Sequence, residues 1–301
     1  MSETLPQAIS FADYIATNQQ ADAAPPDFHE LRTARSNVLI RERGAFLLQC
    51  NLYSMRRHQQ QPVLYSEPDH LKPKLQASHT MSPVGPSNDI GGQHGFPRWA
   101  DYHAFPQPHK RHDVRRLSLQ AKRPDMGPGL VKVVELHPTA LFIRSELTNN
   151  ADTPLTTSLG EHLYFTLPFE TMSGLLVDHR PVDEALERRG ALDDLMQGRP
   201  VFWPQGGKQS SIDFPDGRIV TLRAGASVRQ FEHDNSTKFA TVGAAAVGLL
   251  LWHRVGSESI CFEPTVGLQD PARDPADQPP QSQLTLPPHA SIYLTTTVGL
   301  E

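Results

Sequence analysis

Cysteine is almost absent from this chain of 301 residues: Cys50 and Cys261 are its two examples. A disulfide scaffold is excluded, and reduced thiols in a cytoplasmic protein are expected. Aromatic residues are sparse, at 7%. No basic stripe is present, and acids and bases are interspersed around a formal net charge of −5, so nucleic acid is not an expected partner. The longest apolar run, "VGAAAVGLLLWH", is too short and too rich in glycine to span a bilayer, and no membrane partner is expected. The opening "MSETLPQAISFADYIATNQQ" has neither the basic start nor the apolar run of a secretory signal. G-x-S-x-G, P-loop and dinucleotide-binding fingerprints are missing as well.

What is present reads as strand. Hydrophobic residues make up 38%, enough for a core, and 27 prolines argue against a helical protein. Five segments pair apolar runs across a turn: "SNVLIRERGAFLLQCNLYS" at "RERG", "GLVKVVELHPTALFIRSELTNN" at "HPTA", "SSIDFPDGRIVTLRA" at "PDG", "AVGLLLWHRVGSESICFEP" at "RVGSES", and the closing "SQLTLPPHASIYLTTTVGL". Hairpins at this density imply an all-β, large antiparallel β-sandwich. "PVDEALERRGALDDLMQG" spaces Leu186, Leu192, Leu195 and Met196 as one short helix, with Asp183 as its N-cap. Residues 1–27, rich in Gln, Ala and Pro, read as a loosely attached arm, and residues 28–301 as the sandwich domain. "LQDPARDPADQPPQSQ" (268–283) reads as a long surface loop.

Three stretches carry candidate chemistry. In "PSNDIGGQHGFPRW" proline and glycine force a non-repeating path from which His94 projects; a histidine hydrogen-bonded within its own loop is the plainer alternative. In "TTSLGEHLYFTLP" alternation sets His162 and Tyr164 on one strand face and Glu161, Leu163 and Phe165 on the other. If Leu163 and Phe165 face the core, His162 and Tyr164 face a possible ligand; otherwise His162 is an exposed edge histidine. In "SESICFEPTVG" Glu263 ends an apolar strand and is held extended by the following proline. A carboxylate there has a raised pKa unless it is partnered, or is solvated at the rim. His103, His109 and His112 match no standard zinc spacing and read as a polar loop. Cys50 and Cys261 read as small core residues rather than nucleophiles.

Taken in order, "HGFPR" (His94 to Arg98), "NNADTPLTTSLGEHLYF" (Asn149 to Phe165) and "CFEP" (Cys261 to Pro264) resemble the aldose 1-epimerase, or galactose mutarotase-like, family. "RERGAFLLQCNLYSMRRHQQQPVLY", "SPVGPSNDIGG" and "LPPHASIYLTT" extend the resemblance to roughly residues 30–300. It implies a galactose mutarotase-like supersandwich binding sugar on a concave sheet. It implies interconversion of the α and β anomers of a free aldose by acid/base ring opening and closure. By resemblance Glu263 is the base, His162 the acid, and His94 a hydrogen-bond donor or a second acid; Arg98 and Asn88 would bind substrate. No metal or organic cofactor is implied.

The departures bear on substrate. The family's arginine after Asn88 is here Asp89, which accepts from sugar hydroxyls instead of donating to them. The proline of the family's H-P-Y-F is Leu163; for the sugar-binding aspartate the resemblance offers Asp193 or Asp194, with Asp194 taken as the candidate, while a solvated helix face is the plainer reading of both. A small-molecule sugar is the expected partner of a monomer or homodimer. Two alternatives stay open: a hexose-6-phosphate mutarotase, with Arg98 and the basic run 110–116 available for phosphate, and a sugar-binding or regulatory domain without turnover.

Overall fold

The computed structural model describes residues 28–70, 75–84, 94–121, 128–167, 169–203, 209–231, 239–245, 247–268 and 284–301. The expected arm 1–27, nearly all of the 268–283 loop, and Asn88 and Asp89 lie outside them.

Two large antiparallel sheets make the body, which is an all-β sandwich of the kind expected. The first runs in space Phe28–Arg32, Asn37–Arg41, Phe46–Ser54, Gln59–Leu64, Leu159–Thr166, Ser259–Val266, Gly248–His253, Val201–Phe202, with His79–Met81 also paired to Leu159–Thr166. The second runs Arg180–Pro181, Leu176–Val177, Gln209–Asp213, Ile219–Phe231, Ala290–Leu300, Ala140–Thr148, Gly129–Leu136, Arg115–Ala121, Tyr102–Gln107, with Phe239–Ala245 also paired to Ile219–Phe231. The core lies between them. Leu163, Phe165, Ile260 and Phe262 of the first sheet join Val134, Leu141, Ile143, Leu147 and Leu294 of the second in one apolar cluster. Alternation explains the placement: Leu141, Ile143 and Leu147 are buried, while Phe142 and Arg144 between them are exposed.

Four of the five expected hairpins form, at the turns the sequence marks. The fifth does not. Leu284–Leu286 pairs with Leu155–Thr157, and Ala290–Leu300 inserts between Ile219–Phe231 and Ala140–Thr148. A strand of 11 residues needs a long partner; Ile219–Phe231 offers 13 residues, Leu284–Leu286 only 3. The expected single helix is two, Val182–Glu187 and Leu192–Met196, separated by Gly190 at φ +67. Pro181 rather than Asp183 occupies the N-cap.

One internal feature is not visible in the sequence pattern. Glu161 faces the core, as alternation requires, yet it is a carboxylate with 0% exposure. Lys132 of the opposite sheet, equally buried, reaches it at 3.0 Å. The hydroxyls of Thr80 (2.8 Å) and Ser145 donate to its other oxygen. The pair ties the two sheets together behind the strand that carries His162. A buried charge left without its partner is destabilising by about 3–5 kcal/mol, whereas removing both charges is often nearly neutral. Lys132→Met should therefore lower the urea-unfolding free energy by roughly that amount, and adding Glu161→Gln should restore most of it. Additive losses in the double variant would show that the pair is not coupled.

Candidate active site

Leu159–Thr166 and Ser259–Val266 are buried along almost their whole length. One face of each lies on the core; the other carries the candidate residues. Their antiparallel register pairs Leu163 with Phe262 and Tyr164 with Cys261, which sets His162 across from Glu263. His79–Met81 flanks the first strand on its other side, with His79 opposite His162. Gly248–His253 flanks the second, with Leu250 opposite Glu263 and Trp252 opposite Cys261. Since residues opposite one another on paired strands share a face, His79, His162 and Glu263 form one row. Tyr164, Cys261 and Trp252 form the next.

The row is tight. His162 Nε2 stands 3.3 Å from Glu263 Oε1, and both side chains are almost fully buried. His162 stacks on Tyr164, ring centres 4.5 Å apart at 9°, and meets Trp252 edge-on at 5.6 Å. His79 packs against it at 5.0 Å, with its ring 6.4 Å from that of Tyr164. His94 enters from its own loop and lies 5.0 Å from His162 and 5.4 Å from His79. The three residues expected to share a site are therefore brought together. His162 does not stand on an open surface but in a buried aromatic surround.

The loop explains how His94 gets there. His94 and Gly95 both have φ +67, and Gly95 pairs with ψ −172, a conformation that glycine adopts almost alone. Gly95 bridges to Ser82, whose N–H donates to the His94 carbonyl at 3.1 Å. Pro97 then starts a short 3-10 turn, Phe96–Arg98. Beneath it lies the "RERG" turn, where the Gly44 N–H donates to the Ala100 carbonyl at 2.8 Å.

Burial governs the electrostatics. Glu263 is pushed up to about 8 by loss of water. His94 is held down to about 3 by burial and then by the Arg98 charge. His162 lies well below the usual imidazole range, through burial first, then His94 and Arg98. His79 does likewise, through burial first, then His162, Arg98 and His94. Burial also raises the Tyr164 hydroxyl and the Cys261 thiol, the latter helped by Glu263. Near neutrality the buried Glu263 carboxyl therefore holds its proton and the imidazoles hold lone pairs. Among the described residues, His79 Nε2, His94 Nδ1, His162 Nδ1 and Arg98 Nε have no hydrogen-bond partner although they are buried. These buried nitrogens are available to water or to a polar ligand.

Arg98 is buried beside this group, its guanidinium donating to the Leu75 carbonyl at 3.3 Å. Asp194 is not drawn in. It lies on Leu192–Met196 with its carboxylate held by Arg199 Nε at 2.9 Å on the exposed side. That helix end reaches the site through Gly198, whose carbonyl accepts from Trp252 Nε1 at 2.7 Å. His79 and Trp252 carry no local motif. His79 sits in a strand of three residues, too short to show a period. Both cysteines are small buried residues, as expected; Cys50 belongs to the main apolar cluster, while Cys261 lies beside His162 and Glu263. His162, Cys261 and Glu263 each offer a donor atom within 4.8 Å of the others, the one such group among the described residues. His103, His109 and His112 are not gathered into another.

No protein-family model matches the sequence, and no curated protein matches it. Solved structures do match in fold. A Synechocystis protein superposes with a TM-score of 0.62 at 17% identity, over 93% of this chain and 99% of its own. A galactose mutarotase-like protein from Lactobacillus casei gives 0.60 at 17%, over 91% and 100%. A galactose 1-epimerase from Lactobacillus acidophilus gives 0.59 at 13%, over 93% and 96%. At these identities the likeness is one of fold: the chain has the galactose mutarotase-like β-sandwich.

A Cβ at Gly95 would lie 1.8 Å from the Ser82 carbonyl oxygen, whereas one at Gly190, at the same φ, meets nothing within 4 Å. Gly95→Ala should lower stability by at least about 1–3 kcal/mol, and Gly190→Ala by clearly less. Thermal unfolding of the two variants compares them; equal losses would mean that Ser82 moves aside without penalty.

Proposed function

We propose that this chain is a mutarotase of the aldose 1-epimerase kind, interconverting the α and β anomers of an aldose. The observation that carries the reading is the His162–Glu263 pair, 3.3 Å apart and buried among the rings of Tyr164, Trp252, His79 and His94. Ring opening removes a proton from the anomeric hydroxyl and delivers one to the ring oxygen while the C1–O5 bond breaks and the C1 carbonyl forms. Those two oxygens share one carbon, so the acid and the base must stand within a few ångström of each other. Opposite positions on paired strands achieve this. Rotation about C1–C2 and the reverse transfers close the ring on its other face.

One proton held between the two groups suffices. With Glu263 ionised and His162 protonated, Glu263 takes the hydroxyl proton and His162 serves the ring oxygen, the assignment the motif resemblance implies. With the proton on Glu263, the roles exchange and the net change is the same. His94 and His79 stand beside His162 with buried nitrogens free for hydroxyls, and the rings of Tyr164 and Trp252 suit the apolar face of a sugar. The names of the structural neighbours point the same way.

A phosphorylated hexose is a second reading, favoured by Arg98. Its guanidinium is buried beside the imidazoles and its Nε–H has no partner among the described residues. If the sugar carries phosphate, Arg98→Met should raise KM for an aldohexose 6-phosphate well above its effect on the free aldohexose, since a charged contact contributes about 1.5–3 kcal/mol, or 10- to 150-fold. Equal effects on both would make Arg98 a structural cation.

Polarimetry or NMR saturation transfer on fresh α-anomers tests the main reading. Wild-type protein should exceed the uncatalysed rate on at least one aldose. Glu263→Gln should cut kcat by about 10²–10⁴ while the sugar still binds, because a neutral hydrogen bond is worth only about 0.5–1.5 kcal/mol. Binding without any turnover by wild-type protein would make the domain a sugar binder instead.

A further inference from the structure

We propose that His162, Cys261 and Glu263 also form a site for a thiophilic divalent cation of the zinc class, and that the cation shuts the proton pair down when it binds. The binding stands on the donor set by itself; the inhibition rests on the mutarotase reading.

Cys261 is two residues before Glu263 on the same strand, so both point to the same face, and it lies opposite Tyr164 and Trp252 in the adjacent row. One ring nitrogen, one sulfur and one carboxylate oxygen fall within 4.8 Å of one another, and all three residues are buried. A tetrahedral zinc ion at about 2.0–2.3 Å from each donor spaces them roughly 3.3–3.8 Å apart. His162 and Glu263 already stand 3.3 Å apart, and the Cys261 sulfur lies within 4.8 Å of the donor atoms of both. Three protein donors leave one position open. The His94 ring, 5.0 Å from that of His162 and with Nδ1 unpartnered among the described residues, is at hand to fill it, as is water.

The donor types choose the metal. One nitrogen, one sulfur and one oxygen suit zinc, cobalt or cadmium; magnesium and calcium seek several oxygens and find one here. Burial holds the thiol and the carboxyl neutral in the free protein, and a bound dication reverses that preference by replacing their protons with its own charge. On binding it would occupy Nε2 of His162 and an oxygen of Glu263, the two atoms between which the proposed proton transfers run. The catalytic pair would be blocked without any change of fold.

The 301-residue chain is titrated with Co²⁺ as a spectroscopic probe and with Zn²⁺ by calorimetry, with Mg²⁺ as the control. Wild type should bind one Zn²⁺ per chain and show the near-ultraviolet sulfur-to-cobalt charge-transfer band. Cys261→Ser should abolish the band and weaken Zn²⁺ at least about 100-fold, while circular dichroism confirms its fold. Glu263→Gln should keep the band and weaken the affinity. No band in wild type, or a band that survives in Cys261→Ser, overturns the site. Zn²⁺ should also stop anomer exchange, with recovery on chelation. Metal binding in a protein without turnover would sink the mutarotase reading and leave the site intact. Turnover without metal binding would do the reverse.

Discussion

The pairing of Leu159–Thr166 with Ser259–Val266 is the constraint on which the rest depends. Its register does two things at once. On the inner face it delivers Leu163, Phe165, Ile260 and Phe262 to the core. On the outer face it sets His162 against Glu263 and Tyr164 against Cys261. A slip of one residue would exchange the faces, placing the histidine in the core and the leucine in the pocket. The hydrophobic effect that holds the sandwich together thus also holds the acid–base pair in place, and the site has no separate scaffold.

Placing polar groups there requires support, and it comes from both sides of the strand. Behind it, Glu161 is satisfied by Lys132, Thr80 and Ser145, so the residue next to His162 is anchored to the opposite sheet. Beside it, His79 and Tyr164 stack on the His162 ring, and the His94 loop is locked to Ser82 through a backbone shape that glycine supplies. These contacts limit the freedom of the imidazole before any ligand arrives, which is how a site lowers the ordering penalty of binding.

Desolvation then sets the chemistry. The same burial raises Glu263 and lowers His162 and His94, reversing their ordinary order so that the proton of the pair rests on the carboxyl. Nearby Arg98 adds to the depression of the imidazoles. A pocket of neutral donors and acceptors with unpartnered nitrogens suits a polyhydroxylated ligand. The sulfur of Cys261 is the one soft donor in that set, and it lets a metal compete for the same atoms.

The sequence by itself determined the class of fold, because hairpins such as "HPTA" and "PDG" are local: turn chemistry and alternation act over a few residues. It also offered His94, His162 and Glu263 as candidates, each with a plainer alternative on its own; the order of their motifs, by resemblance, is what joined them. The closing strand could not be read, since its partners are 60 to 159 positions away and chosen by length rather than by the adjacent turn. Nor could Lys132 be assigned to Glu161, 29 residues on, or His79 and Trp252 to the pocket. The side of the sheet on which Cys261 falls likewise emerged only from the strand pairing. Local propensities act along the chain, whereas register, burial and the company a side chain keeps are set by contacts between distant segments, and only the folded chain brings those into being.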